Sequence, residues 1–155
     1  MVDPYAHQLV GTDFYYQKND VTAELVVVLQ GKLENRSLSI IKQPSRAVNR
    51  YHVIELISTD ETGIQAGGNV NRIAYLGFAE IINGGILLAG DPFYVQGRLI
   101  GTVAGFDETH YPNHLNVVIQ VSERFSGREL GFELGYRVFF QGRHAETNSK
   151  PPTSK

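Results

Sequence analysis

Apolar residues in this chain come in short runs broken by glycines and polar clusters. The most regular run covers residues 115–121. Leu115, Val117, Ile119 and Val121 fall on one face, and Asn116, Val118, Gln120 and Ser122 on the other. That is the period of a strand covered on one side. Residues 22–30 are more continuously apolar around Val26-Val27-Val28. Three β-branched residues in succession resist a helix and suit a buried strand. Further strands are expected over residues 12–18, 38–42, 51–57, 86–88, 93–95, 99–103 and 136–140. The run over residues 70–82 admits two readings. A helix over 71–82 would carry Gly77 in its interior, at a cost of about 1 kcal/mol relative to alanine. A strand bent at Gly77 is the better account.

Turn signals separate these runs: Asn19-Asp20, Gly31, Pro44, residues 58–63 and 66–69, Asn83-Gly84-Gly85, and residues 126–129. Gln96-Gly97-Arg98 reads as a tight reversal, with Gly97 free to take a positive φ. Nine or ten short strands with little helix give an all-β fold, mainly antiparallel. The expected architecture is a single closed or nearly closed β-barrel over residues 1–143, with a sandwich as the alternative. Closure removes exposed sheet edges, and the chain has few lysines to protect such edges. Residues 1–9 read as an arm. Residues 144–155, polar and containing Pro151-Pro152, read as a disordered tail.

Composition narrows the function classes. The 155 residues carry a net charge of −2, so no basic field favours a nucleic-acid partner. There is no cysteine, which excludes disulfides and thiolate metal sites. No apolar run approaches the roughly 20 residues that a membrane helix needs. The first residues lack the basic and apolar regions of a signal peptide. The expectation is a cytoplasmic, homo-oligomeric protein with neither a membrane nor a nucleic-acid partner.

Chemistry concentrates in one stretch, AGDPFYVQGRLIGTVAGFDETHYPNHLNVVIQV, residues 89–121. Between two strand-like runs lies a polar octet, residues 107–114, which holds Asp107, Glu108, His110, Tyr111, Asn113 and His114. A polar loop hung between strands is where a scaffold commonly carries a site. The spacing of His110 and His114 would align both rings on a helix, as metal sites do, but Pro112 between them opposes a helix. A loop could still join His110, His114 and Asp107 around a divalent metal. The alternative is a structured polar turn in which Asp107 caps its own backbone. His52, beside Tyr51 and near Glu55, is a second acid/base candidate. Adjacent Phe14, Tyr15 and Tyr16 would point to opposite strand faces, one to the core and another to a subunit contact or a sugar. The glycine-rich segments match no phosphate-binding or dinucleotide motif, and no nucleophile elbow is present.

The run GRLIGTVAGFDETHYPNHLNVVI, residues 97–119, together with Ala89-Gly90-Asp91, resembles a family of short bacterial and archaeal proteins of unknown function. That resemblance implies no activity. Gly90-Asp91 before a hairpin is also similar to small barrels of translation-factor-like and sugar-phosphotransferase domains, and this likeness implies a β-barrel.

The leading expectation is a small polar ligand bound by Asp107, Glu108, His110, Tyr111, Asn113 and His114. The rival is an enzyme (a lyase, isomerase or hydrolase) using His110, His114 or His52 as acid/base, with or without a divalent metal. A third reading is a structural or interaction domain with the loop as an assembly contact. The enzyme reading needs a pocket in which at least two of His52, His110, His114, Asp107 and Glu108 converge within hydrogen-bond reach.

Overall fold

The computed structural model describes residues 17–143. The expected arm, most of the first expected strand, the Phe14-Tyr15-Tyr16 run and the polar tail lie outside the described residues. Twelve strands are formed, and no helix occurs among the described residues. They are β1 (Val21–Val28), β2 (Lys32–Leu33), β3 (Leu38–Ser39), β4 (Ser45–Val48), β5 (Val53–Thr59), β6 (Asn69–Val70), β7 (Ile73–Asn83), β8 (Gly85–Leu88), β9 (Pro92–Val95), β10 (Arg98–Asp107), β11 (Leu115–Gln120) and β12 (Arg137–Phe140).

Seven of these close a mixed barrel in the order β1-β12-β9-β10-β11-β5-β7, with β7 returning to β1. Every pairing in the ring is antiparallel except β11 with β5, which is parallel. The barrel is filled by an apolar cluster to which all seven strands contribute. It includes Leu25, Leu56, Leu76, Phe93, Phe106, Ile119 and Phe140.

The bends have local causes. At Gly77 the chain stays a strand, as the pattern indicated, because two neighbours crowd it. The pairing with β1 shifts register between Leu25 and Val27, opposite Ala79 and Phe78, and the pairing with β5 shifts between Leu56, opposite Gly77, and Ile57, opposite Tyr75. A Cβ at Gly77 would overlap the Val27 carbonyl oxygen, so a glycine is needed where the wall folds sharply. A further bulge sits at Ala104 on β10. It switches the strand's parity, which lets both Val103 and Phe106 reach the core. The β9–β10 reversal is a two-residue turn with positive φ at Gln96 (50°) and Gly97 (79°). These are the signs of a type I′ hairpin, whose twist matches that of the strands.

Four expectations change. The strand at Val26-Val27-Val28 forms, but Val26 and Val27 are exposed rather than buried. β11 is buried on both faces rather than one. β3 and β6 pair into a flap, and Leu38, Ile40 and Val70 from this region pack with Ile57 and Val118 on the outside of the wall. Val118 and Asn116 are therefore covered by chain instead of water. β4, missed in the sequence pattern, pairs with β8 beside the barrel. Finally, β10 runs on through Asp107. Asp107 is a strand residue, and the loop proper begins at Glu108.

Candidate functional site

The parallel pair β5–β11 decides where the chemistry lies. Both strands start at the same end of the barrel, with Leu115 beside Ile54 and Asn116 beside Glu55. The turn that enters β5 and the loop that enters β11 therefore sit side by side. Between them opens a cleft of about 270 Å³. Arg46, Tyr51, His52, Tyr111, Asn113 and His114 line it, over a floor that includes Val48, Ile54 and Leu115.

Register builds the layer behind this cleft. Asp107 pairs with Asn116, Asn116 with Glu55, and Glu55 with Phe78. Directly paired residues share a face of the sheet, so these four form a row across β10, β11, β5 and β7. Asp107 is fully buried. Its Oδ2 accepts the Ser39 N–H at 2.7 Å, and its Oδ1 accepts the Thr109 N–H at 2.9 Å and the Asn116 amide at 3.0 Å. Burial alone would push its carboxyl up. The donors from Thr109, Ser39 and Asn116 outweigh that and hold it below the usual carboxylate range. One carboxylate thus ties the flap, the loop and β11 together.

His114 reaches back over the other end of the row. Its Nε2 lies 3.1 Å from Glu55 Oε1, with both side chains largely buried. The ring meets Phe78 edge-on at 5.1 Å and lies 5.0 Å from the His110 ring. The Asn113 amide stands 3.4 Å from the other nitrogen, Nδ1. If Asn113 donates there, Nε2 carries the ring proton toward Glu55, and Nδ1 is the lone-pair side. A carboxylate that orients an imidazole in this way is the arrangement of a general base and its positioning partner.

Glu55 therefore partners His114, 59 residues away, and not its near neighbour His52. His52 lies in the turn before β5, whose first residue is Val53, so it is not held on the strand face that carries Glu55. The His52 Nδ1 instead accepts the Asn49 N–H at 3.1 Å inside the turn before β5. In that turn Tyr51 adopts φ 76° and is 68% exposed. A bulky residue held with positive φ marks a place where the surroundings impose the backbone.

The loop is anchored from β4. Arg46 pairs with Glu108, and its guanidinium stacks 4.3 Å from the centre of the Tyr111 ring. The Tyr111–Pro112 peptide is cis. Glu108 is thus engaged at the rim. His110 is exposed; its ring lies against that of His114, and its carbonyl accepts the His114 N–H at 3.3 Å. The proposed metal set of His110, His114 and Asp107 does not assemble. Among the described residues no group of three His, Asp or Glu side chains could hold a metal ion. Asp107 is fully buried with its oxygens turned to Ser39, Thr109 and Asn116, whereas His110 is exposed.

Sequence reasoning thus picked out the loop and His52. It missed Arg46, Tyr51's part in the cleft, and the role of Glu55 toward His114. An isolated positive-φ tyrosine carries no local signal, and neither does an arginine on a short unrecognised strand.

A family model describing a family of unknown function, DUF6917, matches residues 15–141. The chain belongs to that family. The match spans the whole barrel, the flap and the cleft, and so extends well beyond residues 97–119 and 89–91, which carry the resemblance. No curated protein and no solved structure matches the chain. DUF6917 membership therefore brings a boundary to the argument, and the chemistry must come from the cleft.

Among the described residues, no helix is long and apolar enough to cross a membrane.

Proposed function

We propose that this protein binds a small polar molecule in the cleft between the 49–52 turn and the 108–114 loop. The observation that carries this reading is the cleft itself, in which an apolar floor is ringed by a few polar side chains from two separate loops. That is the usual make-up of a small-molecule site. Arg46, His52, Asn113 and His114 supply directional polar contacts, and Tyr51 and Tyr111 supply flat apolar walls. Asp107 and Glu108, first expected to touch the ligand, serve to hold the loop. The test is an amide and histidine-ring NMR titration with a panel of polar metabolites. Saturable shifts confined to the cleft, abolished in Tyr111→Ala, support the reading. Shifts scattered over the barrel, or none from any compound, sink it.

A proton-transfer enzyme is the second reading, favoured by the His114–Glu55 pair. In it, His114 Nδ1 takes or returns a proton at the bound ligand, and Glu55 positions the ring. Any turnover found in a substrate screen should fall sharply in Glu55→Gln with KM little changed, since Glu55 acts through His114. Activity indifferent to both Glu55→Gln and His114→Gln would remove this reading.

A further inference from the structure

We propose that the ligand of this cleft is a small organic carboxylate with an apolar body, and that Arg46 exchanges Glu108 for the ligand's carboxylate when it binds. The inference rests on the cleft-binding reading and adds its chemistry. Three observations lead to it.

The first is the balance of donors and acceptors. Among the described residues no carboxylate side chain lines the cleft. His52 has spent its Nδ1 lone pair on the Asn49 N–H, so in its neutral form it presents Nε2–H as a free donor. Arg46 uses one terminal nitrogen on Glu108, and its other donors make no hydrogen bond among the described residues. The one ring lone pair on offer, His114 Nδ1, already faces the Asn113 amide at 3.4 Å. The unspent polar groups are thus mainly donors, joined by two phenols that can play either part. A donor-rich rim favours an anion.

The second is where the negative charges are. Among the described residues three carboxylates stand near the cleft, and each is turned to a partner. Asp107 is buried against Ser39, Thr109 and Asn116. Glu55 lies behind His114, and Glu108 holds Arg46 from the rim with its side chain 43% exposed. Glu108 thus occupies a position on the guanidinium that a ligand carboxylate could take, and release to water costs this exposed side chain little. The planar fork of arginine matches a carboxylate with two parallel hydrogen bonds.

The third is the shape of the rest. Val48, Ile54 and Leu115 form an apolar floor, and the Tyr51 and Tyr111 rings stand at the mouth. The Arg46 guanidinium lies against the Tyr111 ring, which fixes the fork's plane beside that wall. A volume of about 270 Å³ is at or below the small end for ligand pockets. It suits a compact acid better than a nucleotide or an oligosaccharide.

The experiment compares phenylacetate with phenylacetamide, which share a body and differ in charge, together with inorganic phosphate. Binding is followed by NMR of the cleft amides and histidine rings at low ionic strength. Phenylacetate should bind roughly tenfold or more tightly than the amide, as expected for one charge-assisted hydrogen-bond contact. Arg46→Gln should remove that preference, and Glu108→Gln, which frees the guanidinium, should tighten phenylacetate several-fold. Melting curves check that both variants fold. The Glu108→Gln arm also stands by itself if Arg46→Gln unfolds. Equal affinity for acid and amide would overturn the carboxylate proposal and leave the cleft reading standing. So would tighter binding of phosphate than of phenylacetate, or weaker phenylacetate binding in Glu108→Gln. If none of the three probes moves a cleft resonance, the carboxylate proposal fails, and the metabolite panel decides the cleft reading separately.

Discussion

Asp107→Asn tests how the site is built. The side chain is fully buried and accepts three hydrogen bonds, from Ser39, Thr109 and Asn116. An asparagine of the same shape keeps one acceptor oxygen and turns its other polar atom into a donor. With its oxygen toward Thr109 and Asn116, its NH₂ group faces the Ser39 N–H, and two donors then oppose each other. One charge-assisted bond is lost and the other two become neutral. Hydrogen bonds to charged groups contribute about 1.5–3 kcal/mol against about 1 for neutral ones. The expected loss is therefore about 3 kcal/mol at pH 7, or roughly 6–12 °C in melting temperature for a chain of this size. Urea unfolding of parent and variant measures it. The pH dependence supplies a second check. Asp107's folded value lies below its ordinary 3.8, so its contribution is present above that value and is lost as pH falls through the folded one. The gap between parent and variant should be flat from about pH 5 to 8 and close only below 3.8. A loss under about 1 kcal/mol, or a gap that closes already near neutral pH, would refute the claim that this carboxylate pins flap, loop and barrel together.

Three further outcomes follow from particular contacts. His114→Ala should cost about 3 kcal/mol in urea unfolding, because it strands Glu55 in a largely buried position and empties the space beside Phe78. The double variant with Glu55→Gln should recover part of that, and strict additivity would deny the coupling. Lys18→Met removes the cation 2.7 Å from the buried Asp91 carboxylate. Burial already pushes the Asp91 carboxyl up, with Lys18 opposing, so the loss should be large at pH 7 and shrink as acid lets the orphaned group take a proton; a pH-independent loss would contradict this. Gly77→Ala should lower stability by about 1–3 kcal/mol through overlap with the Val27 carbonyl, and a neutral result would show that the wall can open there.

The legible part of this protein was local. β-Branched runs, glycine turns and the Gln96-Gly97 reversal are each settled by a few adjacent residues, so the all-β class, the hairpin and the bend at Gly77 could be read directly. The strand alternation at 115–121 was real, yet it misjudged the outer face. Alternation reports which side chains are polar, not what later packs on them, and the β3–β6 flap covers Val118 and Asn116 from far away in the chain.

The candidate site shows the same limit more sharply. Its loop was visible as a polar octet, but its working pairs are not neighbours in sequence. Glu55 meets His114 because β5 and β11 run parallel, and a parallel pair cannot be joined by a tight turn. The long connection between them carries β6 through β10, so nothing near either residue announces the pairing. The same parallel register sets the 49–52 turn beside the 108–114 loop, and so it creates the cleft. A purely antiparallel barrel built from these strands would have sent the two loops to opposite ends. His52 and His114 would then have been unrelated surface histidines. The one parallel contact in an otherwise antiparallel ring is thus the feature on which any function of this cleft depends.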